Sequence, residues 1–141
     1  LCFIAIFHNN NKTEKIMDFL TGRVGRLLFA LPFGIFGILH FMMAENMAGM
    51  VPGFIPGGVV WVYLTGVALL AACVSFVIQK EVRLAGLLLA LMLIVFVLSI
   101  HLPGVISGSE SAMPNLLKDT ALAGGALLLA DKYSDEGSRS Q

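Results

Sequence analysis

Six residues of this chain have the types and placement to do chemistry: His40, Glu45, His101, Asn115, Lys118 and Asp119. His40 is the one ionisable residue in the apolar run Leu27 to Ala44, and Glu45 follows that run directly. His101 lies near the end of a later apolar run, and Asn115, Lys118 and Asp119 open the last one. Ionisable groups at membrane depth are costly unless paired or hydrated, so residues of this kind at one level of a bundle form a site hypothesis. In that site His40 and His101 face each other or a common cavity. Glu45 and Asp119 are the acidic partners, and Asn115 or Lys118 orients a ligand or a water. Each residue also has a plainer role. His40 can hydrogen-bond a neighbouring helix, His101 can cap an interface, and Glu45 can point to water. Lys118 and Asp119 are adjacent and face different ways on a helix. Two histidines and a carboxylate without a fixed motif specify neither a metal nor a proton-transfer mechanism, and no metal set is assigned.

The elements that position these residues are apolar runs. Leu27 to Ala44 would cover roughly 27 Å as a helix, most of a ~30 Å hydrocarbon layer. Val59 to Ile78 and Leu84 to Ile106 repeat it, and Ala112 to Ala130 is a weaker fourth run. The chain is 57% hydrophobic and 13% charged, against about 25% charged in soluble domains. A soluble bundle of 141 residues has too little interior to hide four such segments. The expected fold class is all-α, a polytopic membrane protein built as an antiparallel four-helix transmembrane bundle, with helices near 23-45, 59-79, 83-102 and 114-131.

Charge sets the expected orientation. Lys12, Lys15, Arg23 and Arg26 precede the first run, Lys80 and Arg83 fill the turn between the second and third, and Lys132 and Arg139 follow the fourth. The other side holds only Lys118. An excess of Lys and Arg marks the cytoplasmic side, which places both termini and the 79-83 turn inside. These basic residues are that ordinary excess and form no nucleic-acid patch, so the bilayer itself is the first partner. Cys2 and Cys73 are too far apart for a CxxC pair, and Cys73 reads as a small packing residue.

Residues 1-21 are expected to be a cytoplasmic or interfacial segment, with 1-11 read either as an artefact of the gene start or as interfacial. Ile16 to Leu20 suits a short turn on the inner surface leading to Gly22. The loop 45-58 mixes Pro52 and Pro56 with Met50, Val51, Phe54 and Ile55, and either folds down over the bundle mouth or anchors at the interface. Pro103-Gly104 is expected to stop the third helix. On the fourth, Asp119, Ala123, Ala126 and Ala130 form the smallest face, and close packing is expected at Gly37, Gly66, Gly86 and Gly124. Residues 133-141 read as a disordered cytoplasmic tail.

Taken together, GRVGRLLFALPFGIFGILHF (22-41), MVPGFIPGG (50-58), WVYLTGVALLAA (61-72) and MPNLLKDTALAGGALLLA (113-130) make the chain resemble the DoxX family of small four-helix bacterial membrane proteins. The resemblance spans residues 22-132. It implies a multi-pass protein of the bacterial inner membrane, and it implies an accessory subunit of a membrane redox or quinone-linked assembly with a soluble or membrane oxidoreductase as partner. The residues themselves carry no quinone fingerprint, no histidine pair demonstrably set for haem and no redox cysteine pair; haem ligation by His40 and His101 stays open behind the other readings. The alternative function is a small-molecule or lipid-binding protein or transporter using the outer pocket. A quinone or a lipid is the ligand class left open, as are homo-oligomerisation and whether the chain is itself an enzyme.

Overall fold

A computed structural model describes residues 10-134, and the expectations for 1-9 and 135-141 lie outside them. All regular structure among the described residues is helical. Helix α1 (Asn10–Asp18) runs through a π-helical segment, Phe19–Val24, into α2 (Gly25–Met42); a single helical turn, α3 (Ala44–Ala48), follows. Helix α4 (Gly58–Ile78) leads through a tight turn to α5 (Val82–Phe96), a second π-helical segment (Val97–His101) and α6 (Leu102–Ile106). Helix α7 (Ala112–Lys132) completes the fold.

Among the described residues three helical stretches are long and apolar enough to cross a membrane: Thr13–Met42, Gly58–Ile78 and Val82–Ile106. Only 17%, 28% and 22% of their most apolar windows are buried within the protein, so most of each stretch presents Leu, Ile, Val and Phe outward, as a lipid-facing helix does. Helix α7 equals α4 in length, but Asn115, Lys118, Asp119 and Thr120 make its first half polar.

The helices pack in two intimate pairs, and glycine sets both. In the pair α2 and α4, Gly37 lies against Leu70 and the Gly66 carbonyl, and Gly34 against Cys73, so the two helices run antiparallel. In the pair α5 and α7, a Cβ at Gly86 would come within 2.7 Å of the Ala126 carbonyl oxygen. Such approach needs small residues on both sides, and α7 supplies them: Ala112, Asp119, Ala123, Ala126 and Ala130 are its buried positions. The α4-α5 turn joins the pairs. Gln79 and Glu81 there adopt positive φ (58° and 55°), and the Ser75 hydroxyl donates to the Lys80 carbonyl. Phe29, Phe33 and Phe76 fill the centre in edge-on and tilted contacts 5.1 to 6.5 Å apart.

Four local expectations are corrected. The first helix breaks at Met43 (φ -117°, ψ 22°), and Ile16 to Leu20 belongs to a helical path continuous with α2 instead of a separate turn. Pro103 does not stop the third helix; it sits in the first turn of α6. A proline inside a helix removes a donor and crowds the carbonyl four residues back, here Ser99, and the π segment places a widened turn at that carbonyl. Close packing falls at Gly125, which faces the Phe29 ring, while Gly124 has open space around it.

Candidate functional site

Helices α2 and α7 meet through long side chains: Phe29 reaches Gly125, Lys118 lies over the Phe36 ring at 4.8 Å, and Arg26 reaches Tyr133 at 3.0 Å. Two helices held apart in this way leave space between them. On the His40 side of the phenylalanine cluster that space is a cavity of about 440 Å³. Phe33, Phe36, Val62, Leu69, Leu93 and Leu122 supply much of its apolar wall. Met47, Met50, Val51, Pro52 and Ile55 line it from α3 and the following loop. The loop is tied down by Trp61 Nε1–H, which donates to the Pro56 carbonyl at 3.1 Å, and it turns Phe54 outward, 83% exposed. Inward and outward apolar contacts thus come from one loop.

The polar pole of the cavity is His40, Ser99, His101, Asn115, Lys118 and Asp119. His101 Nε2–H donates to Asp119 Oδ2 at 2.8 Å, and the Lys118 ammonium lies 3.5 Å from Asp119 Oδ1. Asp119 is 6% exposed, so its carboxylate is held between an imidazole and an ammonium inside a largely apolar wall. Without those partners a carboxylate at this depth would be strongly disfavoured. The π segment Val97–His101 brings the histidine to this point, and Ser99 turns its hydroxyl back onto the Val95 carbonyl at 2.6 Å.

His40 has a different partner. Its Nδ1 lies 2.7 Å from the Phe36 carbonyl of its own helix. A carbonyl can only accept, so Nδ1 carries the hydrogen, and in a neutral ring Nε2 is left as an acceptor. Neither His40 Nε2 nor His101 Nδ1 has a protein hydrogen-bond partner among the described residues. The two histidines, Asn115, Lys118 and Asp119 line one cavity. Glu45 is exposed on α3 and does not line it.

Contributors that reading along the chain had not picked out are Thr65, Ser99 and the phenylalanines. Thr65 lies at helical spacing between Val62 and Leu69 on the face of α4 that lines the cavity, and that spacing was the available signal. Among the described residues no three of His, Cys, Asp or Glu are grouped to hold a metal ion.

The family described as "Domain of unknown function (DUF8561)" matches residues 29–123. The chain belongs to that family. The DUF8561 match contains both histidines, the Asp119 carboxylate and the whole loop over the cavity, and it ends before Tyr133. No curated protein and no solved structure matches the chain.

Proposed function

We propose that this DUF8561 member is a multi-pass membrane protein whose cavity binds an amphiphilic small molecule, apolar along most of its length and polar at one end. The observation that carries this reading is the hydrogen-bonded His101–Asp119 pair in the wall of a largely apolar 440 Å³ cavity. Ligand pockets commonly combine an apolar lining with a few convergent polar groups, and this volume lies within their usual range of ~300–1,000 Å³. His101 Nδ1, His40 Nε2, Asn115 and the Lys118 ammonium offer both donors and acceptors to a carbonyl, hydroxyl or ester head, as a quinone or a lipid carries. The apolar tail would lie against Phe33, Leu69 and Leu93.

In this reading α7 is the fourth span of an antiparallel four-helix bundle covering 22-132, with Lys118 paired to Asp119 and Asp119 hydrogen-bonded to His101. The excess of Lys and Arg at the α1, α4-α5 and α7 C-terminal ends supports both termini lying on the cytoplasmic side of the bacterial inner membrane. A role as accessory subunit to a quinone-linked oxidoreductase rests on the resemblance to the DoxX family, and no residue of the site argues for it separately.

The test is to purify the protein in a mild detergent, extract it with organic solvent and identify the retained small molecules by mass spectrometry. The variant Thr65→Phe, which fills the cavity, serves as the comparison. An amphiphile retained by the parent and lost from a folded Thr65→Phe supports the reading. Retention of nothing by the parent, together with no thermal shift on adding a short-chain quinone or a lysolipid, would sink it.

A further inference from the structure

The end of α7 remote from Asp119 forms a second recess of about 270 Å³ with the start of α2. Gly22, Gly25, Arg26, Gly125, Lys132 and Tyr133 are among the residues that line it. The Tyr133 hydroxyl accepts from Arg26 Nη1 at 3.0 Å and from Gln79 Nε2 at 2.8 Å. Both lone pairs are then used, and the hydroxyl's own hydrogen has no acceptor among the described residues. Arg26 Nε is shielded from solvent and has no hydrogen-bond partner either. Lys132 makes no ion pair among the described residues, and no Asp or Glu lines the recess. Among the described residues a guanidinium and an ammonium therefore share one recess with unspent donors and no carboxylate. Charges so placed call for an anion with several acceptor oxygens.

The surroundings select the kind of anion. Leu128, 75% exposed, lines the recess and belongs to the apolar outer face of α7, so with α7 read as the fourth span, as proposed above, the recess opens onto the lipid-facing surface. At Gly22 nothing lies within 4 Å of where a Cβ would stand, which leaves room for more than a bare ion. We propose that this recess binds the phosphate of an anionic glycerophospholipid. Arg26 and Lys132 balance its charge, the Tyr133 hydroxyl donates to a phosphate oxygen, and the acyl chains run over Leu128. Gln79, which holds the far side of Tyr133, is a positioning residue. This inference is independent of the cavity at the other end.

Native mass spectrometry of the detergent-purified protein tests it, with phosphatidylglycerol or phosphatidylcholine added and glycerol 3-phosphate as a soluble competitor. The parent is expected to retain phosphatidylglycerol in preference to phosphatidylcholine. Arg26→Gln is expected to reduce that preference roughly tenfold, the scale of one charge-assisted phosphate contact. Tyr133→Phe keeps the ring and removes the hydroxyl, both its own donor and the acceptor that Arg26 and Gln79 share, and Lys132→Gln alters an exposed position, so these two keep the test valid if Arg26→Gln does not fold. Equal retention of both lipids by the parent, or an undiminished preference in both Tyr133→Phe and Lys132→Gln, overturns the proposal. Displacement of phosphatidylglycerol by glycerol 3-phosphate at similar concentration assigns the recess to a soluble phosphate and overturns the lipid.

Discussion

His101 Nε2 and Asp119 Oδ2 are separated by 18 positions along the chain and by 2.8 Å in space, and this bond joins the π-helical segment after α5 to α7 at the edge of a cavity. The carboxylate also receives Lys118 on its second oxygen, so one buried anion holds two cationic or donor groups in place. Its replacement therefore has two separable effects, on helix pairing and on the cavity.

Asp119→Ala removes the acceptor for His101 and the counter-charge for Lys118. The expected loss is about 2 kcal/mol of stability, since a partner left unsatisfied at depth costs more than the net value of one hydrogen bond. Asp119→Asn keeps one acceptor oxygen and is expected to cost about half as much. Thermal unfolding of both variants in the same detergent gives the comparison, and equal midpoints for Asp119→Ala and the parent would contradict it.

Gly86 and Gly124 predict opposite outcomes for the same substitution. A Cβ at Gly86 meets the Ala126 carbonyl oxygen at 2.7 Å and Ala130 Cβ at 3.0 Å, so the α5-α7 backbones must separate. Gly86→Ala is expected to destabilise by about 1–3 kcal/mol, the range for overpacked sites. At Gly124 nothing stands within 4 Å, and Gly124→Ala is expected to gain about 0.5–1 kcal/mol from helix propensity. The pair is read by unfolding midpoints, and the sign of the difference decides it.

Trp61→Phe removes the donor that fastens the loop to the Pro56 carbonyl while leaving an aromatic ring at the position. Hydrogen exchange is expected to accelerate across 50-57 and to stay unchanged in α5 and α7. Uniform acceleration throughout would mean that the indole supports the whole fold.

Membrane orientation is read by single-cysteine labelling after Cys73→Ala and Cys2→Ala. Ser134→Cys is expected to react from the cytoplasmic side and Ser109→Cys from the opposite side. The reverse pattern would invert the charge-based assignment.

Much of the helical architecture was legible in the residues because it depends on local periodicity. The apolar runs mark the long helices, and the spacing of Asp119, Ala123, Ala126 and Ala130 identifies the buried face of α7 without any knowledge of its partner. Gly37, Gly66 and Gly86 could be read as contact points because a glycine on the small-residue face of an apolar helix allows backbones to approach. Which polar groups meet is a different kind of question. It depends on the rotation and axial register between helices distant in sequence, and no local pattern encodes that. Only tertiary structure put His101 on Asp119, brought His40 to the same cavity and left Glu45 outside it. The contact at Gly125 instead of Gly124 follows from where Phe29 arrives from α2, a difference of one residue and about 100° around the helix. The link from Arg26 to Tyr133 to Gln79 is likewise made by three helix ends brought together in space, because residues 107 and 54 positions apart become neighbours only after the helices have packed.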